Sequence, residues 1–168
     1  MNTKMNTKMR SSAAFICRTA VIAALYVVLT LVSSAFGLSS GAVQFRISEM
    51  LCVLPVFTPA AIPGLAIGCF VSNLVSGGVW LDVIFGSLAT LIGAALAYVL
   101  RRYPYLAPVP TIVANVLIVT PVLVWVYKVD TVWYLAAAGV ALGEIVCGGI
   151  MGTVLTAALR RRRVFAGE

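Results

Sequence analysis

The sequence predicts an all-α integral membrane protein, a compact bundle of six transmembrane helices with both termini in the cytoplasm. Three observations predict it. Of 168 residues, 62% are hydrophobic and 10% charged, whereas soluble domains carry about 25% charged residues. So few charges do not cover a water-facing surface, and the mean hydropathy of +1.08 says the same. Apolar runs of about 20 residues, the length of one membrane span, recur along the chain. Between them the basic residues gather in three clusters: Lys4, Lys8 and Arg10; Arg101 and Arg102; and Arg160, Arg161, Arg162 and Arg163.

The elements follow in chain order. Residues 1–12 form a cytoplasmic tail, in which Met1-Asn2-Thr3-Lys4 is repeated as Met5-Asn6-Thr7-Lys8. The apolar run 13–37 exceeds the 7–15 residues of a signal-peptide core, so it is expected to stay as the first helix. The interval 47–76 is harder, because Pro55, Pro59 and Pro63-Gly64 interrupt it. Charge parity decides: positive-inside placement puts all three basic clusters in the cytoplasm, so an even number of crossings lies between Met1 and Arg101. The runs 13–37 and 83–100 supply two, and 47–76 must supply two more, or an even equivalent such as a re-entrant hairpin. A turn at Thr58-Pro59 divides it, since proline breaks the helical ladder. The runs 108–127 and 132–159 complete a six-helix domain over 13–159, followed by a basic tail, 160–168. The outer loops 38–46, 77–82 and 128–131 hold two basic residues, Arg46 and Lys128, against nine in the three clusters. Trp80, Trp125, Tyr127, Trp133 and Tyr134 gather at the outer boundary, where aromatic belts form.

Small residues recur four apart at Ala20/Ala24, Ala60/Gly64/Gly68/Ser72, Gly139/Gly143 and Gly148/Gly152. Such ridges let helices approach closely in lipid, and the last three sets are expected to pack the bundle. Ala20 and Ala24 lie in the cytoplasmic half of the first helix, where another protein could dock.

Cys17, Cys52, Cys69 and Cys147 are scattered without a C-x-x-C pair, and histidine is absent. No metal site and no cofactor are expected, and the cysteines read as small apolar packing residues. The sequence carries no phosphate-binding G-x-x-x-x-G-K-[ST] loop, and no nucleic-acid partner is implied. A membrane enzyme is disfavoured by the absence of histidine and of a paired-acid motif. What remains is a passive element, or one part of a larger machine.

Few polar groups are placed to do chemistry. Gln44, Arg46 and Glu49 lie where the first outer loop enters the second helix. They form either an Arg46–Glu49 ion pair with Ser48 near the cap or a polar strand facing a ligand. Asn73 ends the third helix and Asp82 begins the fourth. Asp82 is an N-cap, or it joins Asn73 and Trp80 around a flexible Gly77-Gly78 loop over an aromatic ligand, stacked on the indole. Glu144 lies eleven residues beyond Trp133, roughly 16 Å deep, and Asn115 reaches a similar depth on the preceding helix. An ionisable group there is costly unless partnered. It serves either as structural glue bonded to Asn115 or as an acceptor for the adjacent N–H groups of a guanine-like edge.

The segment Val43-Gln44-Phe45-Arg46-Ile47-Ser48-Glu49, with Leu54-Pro55 and Phe57-Thr58-Pro59-Ala60-Ala61-Ile62-Pro63-Gly64-Leu65, resembles the queuosine-precursor transporter (QueT) family. Ile67-Gly68-Cys69, Ser72-Asn73-Leu74 and the run from Asp82 to Leu91 extend the likeness, which covers roughly 18–152. The resemblance implies the substrate-binding S component of an energy-coupling factor (ECF) importer. Its six helices would hold queuine or a related 7-deazaguanine in a site opening outward. It also implies dependence on a coupling module of one transmembrane coupling protein and two ATPases, with Ala20/Ala24 matching the family's docking pair. The rivals are an S component for another planar vitamin and a proton-coupled carrier using Glu144.

Overall fold

The computed structural model describes residues 2–38, 45–125 and 132–162, with side chains described from Ser12 onward. Among these residues the chain forms six helices and no strand. They are α1 (Asn2–Ala35), α2 (Ile47–Val56), α3 (Ala61–Val75), α4 (Trp80–Val99), α5 (Pro108–Trp125) and α6 (Trp133–Arg162). A short 3-10 turn, Pro104–Leu106, links α4 to α5.

Four helices are long and apolar enough to cross a membrane: α1 over Ser12–Ala35, α4, α6, and α5 counted with its preceding turn. The interval 47–76 breaks where the prolines predict, with the turn at residues 57–60. Its two halves are shorter apolar helices, and they are wound differently. α3, with fifteen residues, rises about 22 Å as an ordinary α-helix. α2 has only ten residues and winds as a 3-10 helix; at about 2.0 Å per residue it rises about 20 Å, where an α-helix would rise about 15 Å. Pro63 falls in the first turn of α3, where its missing N–H leaves no hydrogen bond unmade.

α2 is the centre of the bundle. It contacts all five other helices, and Ser48, Glu49, Leu51, Cys52, Val53, Leu54 and Pro55 are buried. Around it, Ile22, Tyr26, Leu51, Cys52, Leu54, Ala61, Leu65, Cys69 and Ala94 form the core. The small-residue ridges pack as expected. A Cβ on Gly64 would stand 2.9 Å from the Thr19 carbonyl oxygen, and one on Gly68 would stand 2.7 Å from the Tyr26 Cβ. α3 therefore lies against α1 at near-backbone contact. Gly152 takes the Val53 side chain in the same way, seating α6 on α2.

Two helix ends on the aromatic-rich side close with left-handed glycines. Gly37 (φ 68) and Gly77 (φ 75) follow α1 and α3. In each case two backbone bonds, Leu38 N–H to Ser33 and Gly37 N–H to Ser34, or Gly78 N–H to Asn73 and Gly77 N–H to Leu74, close a Schellman cap. The Gly77-Gly78 pair expected as a flexible loop is thus a helix stop.

Candidate functional site

The site is assembled by the way α1 grips the start of α2. Tyr26, Thr30 and Ser33 fall on one face of α1, at spacings of four and three. Tyr26 donates to Glu49 Oε1 at 2.5 Å. Thr30 donates to Ser48 Oγ at 2.8 Å, and the Ile47 N–H donates to Ser33 Oγ at 3.0 Å. Three successive residues of α2 are thereby fixed to α1. Ser48 is consequently not a helix cap: the N-cap position is Arg46, which makes no side-chain capping bond. The second oxygen of Glu49 accepts from the Cys52 thiol at 3.0 Å. Glu49, 2% exposed, is held on both oxygens.

Glu49 and Arg46 form one wall of a small polar cavity. Gly86 and Thr90 of α4, Asn115 of α5 and Glu144 of α6 form the others, with Val119 and Val140 closing it. Its volume is about 20 Å³, the room one water molecule occupies. Asn115 Nδ2 donates to Glu144 Oε1 at 2.7 Å, and both residues are buried. Glu144 Oε2 accepts no hydrogen bond among the described residues. A buried carboxyl oxygen without a donor is unfavourable by about 1–3 kcal/mol or more, so this atom is an open acceptor. Directly after Glu144 the backbone of α6 loosens into a π-helical stretch, Ile145–Met151, a deviation that recurs at functional positions. Gly148 lies in it, and a Cβ there would stand 3.5 Å from Glu144 Oε2 and 3.9 Å from the Glu49 Cβ. Gly148 therefore lies beside both acidic residues at ordinary contact distance.

The other expected residues divide. Asn73 and Asp82, both buried, stand behind Gly86: a Cβ on Gly86 would be 3.0 Å from Asn73 Nδ2 and 3.9 Å from Asp82 Oδ1. Asp82 also acts electrostatically on Arg46, as Glu49 does. Asp82 is not the N-cap of α4. Val79 holds that position, and Asp82 is the acidic residue of the first turn, where the helix dipole favours a negative charge. Trp80 is 65% exposed and does not line the cavity; its indole faces outward in the position of a membrane-interface aromatic. Gln44 lies outside the described residues. Ala20 and Ala24 are exposed on α1, opposite the buried Ile22 and Tyr26.

Tyr26 and Thr90 belong to this site and were not anticipated. The signal was available for Tyr26: a polar stripe Tyr26, Thr30, Ser33 at helical spacing inside an otherwise apolar span. Among the described residues no three His, Cys, Asp or Glu side chains cluster as metal ligands.

An all-helical bundle with four helices long and apolar enough to cross a membrane is the architecture of an integral membrane protein, and this one encloses a small polar, acid-lined cavity. The model of the QueT transporter family matches residues 16–161, and the chain belongs to that family. It is also similar to the queuosine precursor transporter QueT of Lactococcus lactis subsp. cremoris (strain MG1363), with 43% identity over 81 residues. That alignment covers 48% of this chain and 47% of the relative, about half the length of each. No solved structure matches the chain.

Proposed function

We propose that this chain is the substrate-capture subunit, the S component, of an ECF-type importer for a queuosine precursor such as queuine. The observation that carries the reading is the open Glu144 Oε2 in a cavity ringed by Arg46, Glu49, Thr90 and Asn115. A deazaguanine presents an amine and a ring N–H side by side, and Glu144 Oε2, the oxygen that Asn115 leaves open, accepts from one of them. The guanidinium of Arg46 donates, and so suits the carbonyl of the same base. Asn115 keeps the Glu144 carboxyl turned, so that Oε2 rather than Oε1 faces the cavity. The cavity holds one water-sized volume, so capture of a bicyclic base requires it to widen.

In this reading the basic clusters and both tails, 1–12 and 160–168, are cytoplasmic, in accord with the positive-inside tendency. Membership in a transporter family supports import, and the name of the Lactococcus relative supports the ligand class. The exposed Ala20/Ala24 face of α1 would receive the transmembrane coupling protein, whose two ATPases supply the energy this chain lacks.

Titration calorimetry of the purified chain with queuine and with guanine tests the proposal, paired with uptake of labelled queuine in cells with and without the coupling module. We expect one queuine bound per chain without ATP, and uptake only with the module. Uptake by the chain alone, driven by a proton gradient, would support the carrier reading instead. Absence of queuine binding by well-folded protein would overturn the ligand assignment.

A further inference from the structure

We propose that the groove between α4 and α5 is a binding site for one anionic phospholipid, separate from the acid-lined cavity. The groove is apolar and has a volume of about 490 Å³. Its shape follows from residue size. A Cβ on Gly93 would stand 2.7 Å from the Thr111 Cα, so the two helices nearly touch there, and Ala114 continues the low floor. Ile92 and Leu96 on one side, and Val109 and Val113 on the other, rise as walls. From Leu106 to Leu117 the groove runs about 17 Å along α5, close to half of the ~30 Å hydrocarbon thickness. That is the depth of one leaflet and of one acyl chain. A partner helix crossing the whole membrane would need a surface twice as long.

The mouth of the groove, at Leu100 and Leu106, opens beside Arg101 and Arg102. The Arg101 guanidinium lies 5.0 Å from the Tyr98 ring centroid and donates to the Tyr98 hydroxyl at 2.8 Å. Arg160 comes from the end of α6 and lies 5.8 Å from the Tyr105 ring. Two guanidinium groups are thus tethered at the level where a phosphate headgroup would sit, with the exposed Tyr103 and Tyr105 beside them. Among the described residues no Asp or Glu lies at this end, since Glu49 and Asp82 begin their helices at the other and Glu144 is central. Among the described residues no acid compensates this positive charge, and an anionic headgroup above an acyl chain complements both parts.

Native mass spectrometry of the full chain in detergent, titrated with dioleoyl phosphatidylglycerol or dioleoyl phosphatidylcholine, tests this. One phosphatidylglycerol should be retained in preference to phosphatidylcholine, and the preference should fall on the order of fivefold for each of Arg101→Gln and Arg160→Gln. Val113→Trp, which fills the groove from its exposed wall, should remove retention, with Leu96→Trp as an independent variant from the opposite wall. Inorganic phosphate at matching concentration should displace nothing. Equal retention of the two lipids would reduce the groove to ordinary lipid-facing surface and overturn the proposal. So would a preference that survives the double arginine substitution, or retention that survives both tryptophans in folded protein.

Discussion

Asn115 and Glu144 are 29 residues apart in the chain, yet Asn115 Nδ2 donates to Glu144 Oε1 at 2.7 Å inside the bundle. The bond has a direction that matters. The amide occupies one carboxyl oxygen and leaves Oε2 without a donor among the described residues, turned toward the space shared with Glu49. The bond itself fits a structural-glue role; the open Oε2 is the atom a ligand would use.

Glu144→Gln tests that asymmetry. The glutamine carbonyl still accepts from Asn115, so the fold should be retained, but the second atom becomes an NH₂ donor facing the ligand's own donors. Queuine affinity should fall by about 1–3 kcal/mol, roughly five- to 150-fold, in titration calorimetry. Affinity equal to wild type would place the ligand elsewhere.

Tyr26→Phe removes a hydroxyl and keeps the ring. Glu49 would lose the donor on Oε1 while keeping the Cys52 thiol on Oε2. Hydrogen bonds to a charged group contribute about 1.5–3 kcal/mol, so the thermal unfolding midpoint in detergent should drop by several degrees. Ser48→Ala, which removes the acceptor of Thr30, should lower the midpoint less, because that bond is between neutral groups. An unchanged midpoint in Tyr26→Phe would mean that the clamp between α1 and α2 adds nothing to stability.

The two small-residue ridges on α1 and α3 should respond in opposite ways. Gly68→Ala places a methyl 2.7 Å from the Tyr26 Cβ and 2.9 Å from the Ala23 carbonyl oxygen. It must push α1 from α3 and should reduce the yield of folded protein. Ala20→Trp and Ala24→Trp project from exposed positions and should leave melting and queuine binding intact while abolishing uptake through the coupling module. Loss of binding in step with uptake would show that these alanines pack the bundle.

Orientation is tested by single cysteines in a Cys17→Ser background, the other three native cysteines being buried. A cysteine replacing Ser76 should react with a membrane-impermeant thiol reagent on intact cells, and one replacing Tyr103 should react only after permeabilisation. The reverse pattern would invert the bundle, and labelling of both from outside would break the six-crossing count.

The sequence by itself determined the helix count and the break of 47–76 at its prolines. These depend on local quantities: the length of an apolar run against the membrane's thickness, and the place of proline in a helical ladder. It also marked Glu144 and Asn115 as partners, since equal depth on consecutive helices is a one-dimensional property. Tertiary structure alone decided how the other polar residues meet. Whether Trp80 turns inward or outward, whether Gly77 is a hinge or a helix stop, and that Tyr26 closes on Glu49 all depend on helix rotation. A chain apolar on nearly every side carries too weak an amphipathic pattern to specify rotation. The 3-10 winding of α2 was likewise out of reach. Ten residues read as a short helix, and only the packed structure shows them wound at about 2.0 Å per residue with all five other helices around them.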